Sequence, residues 1–580
     1  MSKKGFYPEW IEEAPPKDSY RSIFKWGSPT AFKHPNRRLY AAMKDIFKMN
    51  DADFQKPQKT AYEKVVLKDK PISLKEHQLN KLKELAGQEN VKSDDYSRLY
   101  YSTGKTFEEA MEIRDGIIRE VCDVAVHPRN KNDVKEIVKF CNDEKIPIYV
   151  FAAGSSVNFG VRPERGGISL VVKTHMNKIL EVNDTDQTCT VEPGMFGPAY
   201  EDALNDSKKL YRTKHNYTCG HFPQSFEFST VGGWVVTLGS GQQSTYYGDA
   251  YDIVFAAEYV TPAGTFYTEE FPACANGPRV NDIMKGSEGS FGILVEAKMK
   301  IFRYMPKNRK RFGYVFKSFE DAVNAGREIV QGEFGKPSVL RVSDQEETDI
   351  GLKLYGVEGT IIDTIMKLFG YKPGNRSLVL GMTEGEIGYS KNVLKNVKRI
   401  AKKNGGLSIT GYAAQKWYHG RYTDPYLRED LSDFGIITDT LETGVRWSNL
   451  HQVHQQVREF AKSRPNTICM THASHFYPQG TNLYFIYIMK EDNIEAYKEY
   501  QSRIIDEIYK SGGSLSHHHG VGKMIAPWME HFHGKVKIGI FRAIKKYLDP
   551  NNIMNPGAQM GLDDSRDNDS SYRFKKRGVK

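Results

Sequence analysis

The chain is poor in cysteine. Six occur among 580 residues, at Cys122, Cys141, Cys189, Cys219, Cys274 and Cys469, and no two form a CxxC pair. That spacing argues against a disulfide scaffold or a thiolate zinc site and fits a reducing compartment. No apolar run approaches the roughly 18 to 20 residues of a membrane-spanning helix. The first residues, Met1 to Phe6, lack a signal-peptide core, and the ending Arg577-Gly578-Val579-Lys580 is not the peroxisomal tripeptide. No address is expected from the sequence, which leaves the cytoplasm as the default. No internal repeat is present. Charge is nearly balanced: 82 basic against 72 acidic residues, a net of +10. So modest an excess suits a phosphorylated substrate, an anionic cofactor or an anionic membrane surface, and it argues against nucleic acid as a partner.

What the chain does have is a run of imidazoles. Of its 16 histidines, three are adjacent, in Gly512-Gly513-Ser514-Leu515-Ser516-His517-His518-His519-Gly520-Val521-Gly522. Histidine trades protons near neutral pH and also binds metals. The triplet therefore points to proton handling or to a metal site, with a solvated loop as the plain alternative. Adjacent histidines diverge and rarely reach one ion. His531, His533 and Glu442 are the residues that could complete a site; proton transfer is preferred and no metal is assigned. In an extended segment His517 and His519 would share one face and His518 would point away.

Length predicts two to four domains, and the alternation of elements predicts an α+β class. Residues 1–95 read as a helical extension, with helical spacing over 40–49 and 73–86. In 96–302, strands are expected at 121–126, 148–151, 168–172, 178–182 and 188–191, and helices at 132–142 and 195–204. In 303–510, helices are expected at 319–331, 393–403 and 493–509, and strands at 313–316, 378–381 and 484–489. Residues 511–561 carry the histidine motif and a helix over 535–548. Residues 562–580 are polar and charged, so disorder is expected.

Three small-residue loops stand out: Phe151-Ala152-Ala153-Gly154-Ser155-Ser156-Val157, Glu227-Phe228-Ser229-Thr230-Val231-Gly232-Gly233-Trp234, and Gly286-Ser287-Glu288-Gly289-Ser290-Phe291-Gly292-Ile293-Leu294. Each is read as a loop beside apolar strand residues. Small residues let backbone N–H groups approach phosphate oxygens. None is GxGxxG opening a helix, which disfavours a Rossmann site. One such loop alone is an ordinary turn; three in one domain fit a long ligand with a pyrophosphate and a flat ring.

These loops, with Gly220-His221, Ser225-Phe226, Tyr247-Gly248 and the stretch from Gly512 to Lys523, resemble the vanillyl-alcohol-oxidase, or PCMH-type, FAD flavoproteins. Within them the chain is most similar to the alkyldihydroxyacetonephosphate synthase family. Weaker echoes are Lys25-Trp26-Gly27, Ser338-Val339-Leu340-Arg341, Asp424-Pro425-Tyr426-Leu427-Arg428 and Asp549-Pro550-Asn551-Asn552-Ile553. The resemblance covers roughly 20–555. Departures fall at Ala152, Ala153, Phe222, Gln224 and Leu238.

The resemblance implies a PCMH-type two-subdomain FAD-binding domain over 96–302, an α+β cap over 303–510 and a C-terminal segment returning to the flavin domain. It implies FAD, held non-covalently because no histidine lies in the 152–157 loop. The implied cofactor contacts are Phe151, Ala152, Ala153, Gly154, Ser155, Ser156, Gln224, Ser225, Phe226, Glu227, Phe228, Ser229, Thr230, Thr237, Ser240, Glu288, Gly289, Ser290, Phe291, Gly292 and Ile293. The implied catalytic residues are His517, His518 and His519, Tyr484 as a donor to a carbonyl, and Arg341 near the flavin. Arg428, whose guanidinium fork suits phosphate, and His221 are the implied substrate contacts.

The implied reaction exchanges the acyl chain of acyl-dihydroxyacetone phosphate for a long-chain fatty alcohol through a flavin N5 adduct. Lipid substrates, peripheral membrane contact, a homodimer and a peroxisomal, lumenal location come with it. The departures keep open a second reading, an FAD-linked 2-hydroxy-acid dehydrogenase or oxidase of the D-lactate kind. A flavin-binding scaffold without activity is the third.

Overall fold

The computed structural model describes residues 5–561; the tail 562–580, expected to be disordered, lies outside them. Two sheets make up the body before residue 302. One has the spatial order Val91–Lys92, Val124–Val126, Ile168–Val171, Ile148–Phe151, and its last three strands run parallel. The other is antiparallel, in the order Ile179–Asn183, Thr188–Val191, Ile293–Lys300, Val254–Thr261, Gly264–Tyr267. The parallel strands are mostly apolar and buried, Ser169 being the polar exception, and the helices Glu76–Ala86 and Lys131–Glu144 cover one side.

A third sheet, of seven antiparallel strands, takes all its strands from 310–490. Its long members are Ile436–Arg446, Thr467–Tyr477 and Gly480–Lys490. The last shows how the sequence sorts its faces. Leu483, Phe485 and Tyr487 are fully buried against the helices, while Tyr484 and Ile486 turn to the other side. The helices Phe319–Gln331, Leu450–Ser463 and Ile494–Lys510 close the buried side, each through one apolar stripe.

Two expectations are corrected. The stretch from Val231 to Thr237, read as strand and loop, is a helix, with the Thr230 side chain accepting the Gly233 N–H at its start. Two adjacent glycines suggested a turn, but Gly232 sits where a Cβ would meet Pro193 at 2.5 Å, so glycine serves close packing there. The last helix begins earlier than expected, Ala526–Leu548, and is broken by Gly534 at φ 76°. After it the chain returns to the parallel sheet, where Ile148 N–H donates to Ile553 and Asn555 N–H to Ile148.

Candidate active site

One cavity of about 330 Å³ lies between the seven-stranded sheet and the first two-sheet body. On one wall are the small residues 152–157, on another Thr230, Gly233, Trp234 and Thr237, and on the sheet side Thr438, Thr440, Tyr484 and Ile486. His518, His519, Arg428 and Glu288 complete it.

The histidine segment reaches this cavity because two buried carboxylates hold its backbone. Glu442, on the strand Ile436–Arg446, accepts the N–H groups of His517 (2.8 Å), His518 (3.1 Å) and His519 (3.0 Å), and the Ser516 hydroxyl (2.8 Å). Asn482 adds a further donor at 2.9 Å. Glu288 accepts Val521 N–H and Gly522 N–H, both at 2.6 Å. The flanking glycines follow from this grip. Gly520 has φ 84°, and a Cβ there would lie 2.6 Å from Glu288 Oε1; at Gly522 it would lie 2.0 Å from Asn158 O.

The segment is therefore curled, not extended, and the facing of the triplet is corrected. His518 and His519 both line the cavity, and His517 lies outside that lining. His517 Nδ1 meets His518 Nδ1 at 3.1 Å, and its Nε2 meets the Tyr477 hydroxyl at 2.9 Å. Burial holds all three imidazoles below their ordinary value, His518 furthest, with its neighbours His519 and His517 adding to the effect. All three are neutral bases at neutral pH. Burial alone would raise the Glu442 carboxyl, but His519, His517 and the backbone donors outweigh it and hold it below the usual carboxylate range.

Ligand atoms of Glu442, His517 and His518 lie within 4.8 Å of one another, a spacing that could suit a metal ion. The lone pairs of Glu442 are already taken by five donors, so that carboxylate acts as a backbone anchor.

Tyr484 stacks between two imidazoles, His472 at 5.0 Å and His518 at 6.0 Å, with His519 edge-on at 5.4 Å. Its hydroxyl donates to Thr440 Oγ1. Arg341 lies within the strand Val339–Ser343, not at its end, and outside the cavity lining. It donates to Glu347 (2.7 Å) and meets His472 Nε2 (3.1 Å), while His472 Nδ1 meets Glu347 at 2.9 Å. It thus braces the imidazole beneath Tyr484.

Arg428 donates through Nη1 to Lys105 O, while its buried Nη2 meets no protein acceptor among the described residues. His221 is buried behind the wall, its ring nitrogens unpaired among the described residues, 4.8 Å from the Trp234 ring, and burial pushes it down to about 3.

Of the expected cofactor contacts, Ala152 to Ser156, Gln224, Ser225, Ser229, Thr230, Thr237, Ser240 and Glu288 line the cavity. Phe151 and Phe226 pack behind it, Phe151 against Tyr101 and Phe226 against Trp234. Glu227 is exposed, and Phe228, Gly289, Ser290, Phe291, Gly292 and Ile293 are not in the lining. Sequence reasoning missed Tyr477, His475 and Asp249. A bulge between Ser474 and Tyr477, with His475 at φ 55°, turns both side chains toward the triplet. No alternation pattern reveals such a turn.

Residues 122–269 match the family model of an FAD binding domain, and 305–558 that of the C-terminal domain of FAD linked oxidases. The alkyldihydroxyacetonephosphate synthase of Dictyostelium discoideum is 31% identical over 490 residues, 81% of this chain and 78% of that protein. The chain belongs to the alkyldihydroxyacetonephosphate synthase family. A solved structure of an alkyldihydroxyacetonephosphate synthase superposes with a TM-score of 0.78 at 26% identity, covering 93% of this chain and 99% of that one. The structure of p-cresol methylhydroxylase, at 19% identity and a TM-score of 0.66 over 85% of this chain and 98% of its own, shares the PCMH-type fold.

FAD is the cofactor of this family fold, and the cavity suits it. Among the described residues, no protein acceptor meets the backbone N–H groups of Ala153, Gly154, Ser155 or Ser156. Thr438 Oγ1 is likewise buried without a partner. A polyanionic ligand with a polar ring edge would satisfy both sets.

Proposed function

We propose that this protein is an FAD-dependent alkylglycerone-phosphate synthase of ether-lipid biosynthesis, exchanging the acyl chain of acyl-dihydroxyacetone phosphate for a long-chain fatty alcohol. One observation carries the reading: His518, His519, Tyr484 and Arg428 converge on the cavity that the 152–157 loop shares. A transferase of this kind needs a neutral base, a donor for a carbonyl and a cation for phosphate, and these residue types supply all three.

The residues divide the work. The 152–157 loop, Thr230, Ser240 and Thr438 hold the non-covalent FAD, which supplies a reversible electron-pair sink. Arg428 Nη2 takes the phosphate. His518 or His519 removes a carbon-bound proton, and Tyr484 turns its hydroxyl proton from Thr440 Oγ1 to the carbonyl oxygen. Arg341 acts at one remove, by fixing His472 beneath Tyr484.

Lipid substrates require access to a bilayer. The helix Ile361–Leu368 presents Ile361 and Leu368 at 79% and 80% exposure, with Ile362 and Phe369 also exposed and Lys367 and Lys372 alongside. Upstream, the Tyr355 phenol feels the carboxylate of Asp424, a cavity-lining residue. We place the membrane contact there. Among the described residues no helix is long and apolar enough to cross a membrane. The reading extends to a homodimer and to a peroxisomal, lumenal location.

Exchange of radiolabelled alcohol into acyl-dihydroxyacetone phosphate, with no electron acceptor present, tests the reading. Dye reduction by a 2-hydroxy acid without such exchange would replace it with the D-lactate-like alternative.

A further inference from the structure

Behind the cavity, the histidine triplet continues into residues that no part of the chemistry above uses. Asp249 Oδ2 accepts the Tyr477 hydroxyl at 2.9 Å, Tyr477 meets His517 Nε2 at 2.9 Å, and His517 Nδ1 meets His518 Nδ1 at 3.1 Å. Four titratable groups thus form one unbroken chain. It runs from the cavity-lining His518 to Asp249, which keeps part of its surface exposed.

The chain has only one consistent set of protons among neutral imidazoles. The single hydroxyl proton of Tyr477 goes to the carboxylate, so its oxygen must accept His517 Nε2–H. That leaves His517 Nδ1 bare, and it must accept His518 Nδ1–H. His518 Nε2 then carries a lone pair. Of the two cavity-lining imidazoles, His518 is the one thus set as a base, with a chain of donors all pointing outward.

We propose that Tyr477 and Asp249, acting through His517, form the proton outlet of His518; this rests on the transferase reading above. The carbon-bound proton bonds to His518 Nε2. His518 Nδ1–H passes to His517 Nδ1, His517 Nε2–H to the Tyr477 oxygen, and the Tyr477 proton to Asp249. One proton enters and one arrives on the carboxylate, with the intervening groups neutral again in the alternate tautomers. The reverse order returns it to the product side.

The surroundings favour this direction. Around His518 lie His519, His517, His472 and His221, and His475 tilts over it at 5.0 Å, so a charge kept there faces imidazoles on every side and Glu442 alone as counter-ion. His475 itself is held by Ser244 Oγ at 2.7 Å. Asp249 faces Asp252, Tyr477 and His517, and burial with Asp252 raises its proton affinity above that of an ordinary aspartate.

Full-length, FAD-loaded Tyr477→Phe and Asp249→Asn test the outlet. Asn keeps the cap that Asp249 gives to Tyr251 N–H, so the short helix after it is retained. Both variants are expected to keep the flavin spectrum and KM, to lose about 10²-fold in kcat, and to show no further loss when combined. Added formate is expected to rescue Asp249→Asn, which a packing role would not allow. Wild-type kcat in either variant, multiplying losses in the double variant, or no rescue by formate overturns the outlet. If Tyr477→Phe fails to hold FAD, Asp249→Asn with formate decides. Failure of the wild type to exchange alcohol would sink the transferase reading instead. The relay then stands or falls on imidazole ¹⁵N spectra, where Tyr477→Phe must alter the His517 tautomer; an unchanged pattern overturns it.

Discussion

Glu442 and Glu288 grip the same segment at two places, the first through the N–H groups of His517 to His519, the second through those of Val521 and Gly522. One belongs to the seven-stranded sheet and the other to the loop before the strand Ile293–Lys300. Their combined effect is to set the imidazoles against a surface built by two separate parts of the chain. Neither carboxylate needs to touch a substrate to matter.

Glu442→Gln removes a charged acceptor and places an amide N–H₂ among backbone donors. Hydrogen bonds to a buried charge contribute about 1.5–3 kcal/mol each. The variant should melt earlier and lose turnover together, because the triplet loses its seat. Thermal melting and exchange activity on the same preparation check this; an unchanged melting temperature would mean that the backbone is held by other contacts.

His518→Ala and His519→Ala should separate the two cavity-facing imidazoles. Loss of a general base costs about 10²–10⁴-fold in rate. The base at His518 predicts the larger loss there, with yellow flavin retained in both. Loss of flavin in either variant would assign the triplet a structural role. Absorbance and single-turnover kinetics distinguish the two.

The rate should fall on the acid side. His517, His518 and His519 are each held below 6.5 in the folded chain, so the neutral base form is complete at pH 7 and is lost only as pH drops below that value. Stability follows the same sign: the unfolded chain takes up these protons near 6.5 and the folded chain does not. Glu288 acts oppositely. Burial pushes it up to about 7, so its contribution is complete below 4.5 and disappears as pH rises through about 7. The two windows place maximal stability near neutrality, measurable as melting temperature against pH.

Part of the strands and helices was legible, where burial on one face leaves a period of 2 or 3.6; the strands Val254–Thr261, Ile436–Arg446 and Thr467–Tyr477 and the helix Leu450–Ser463 were not among those expected. The strand Gly480–Lys490 shows the period at Tyr484 and Ile486. The flavin loops were legible through their small residues. What escaped was contact made across separate elements. Glu442 looked equally like a ligand or a strand residue, since the N–H groups that fill it lie some 75 residues away. Tyr477 meets His517 only through a bulge, Asp249 reaches it only through Tyr477, and Arg341 faces Glu347 and His472 instead of the cavity. Spacing along a chain carries no record of such meetings.

Arg341→Lys tests the bracing role. A single ammonium cannot serve both Glu347 and His472 as the fork does. His472 should loosen beneath Tyr484, lowering kcat while FAD absorbance and KM stay near wild type. A weakened flavin with intact kcat would instead return Arg341 to a place beside the cofactor.

Arg428→Ala should act on binding more than on chemistry. Its Nη1 is committed to Lys105 O, but Nη2 is buried, faces the cavity side of the fold and has no protein partner among the described residues. Glu429 Oε1 lies 3.8 Å from its Nε, which leaves Nη2 as the donor free to meet an anion. Losing a charge-assisted hydrogen bond of about 1.5–3 kcal/mol corresponds to about 10- to 100-fold in KM for the phosphate-bearing substrate. The KM for the fatty alcohol should stay unchanged, since that substrate carries no anion. Steady-state kinetics with each substrate varied in turn decide the matter: an equal rise in both KM values would mean that Arg428 shapes the cavity and does not bind phosphate.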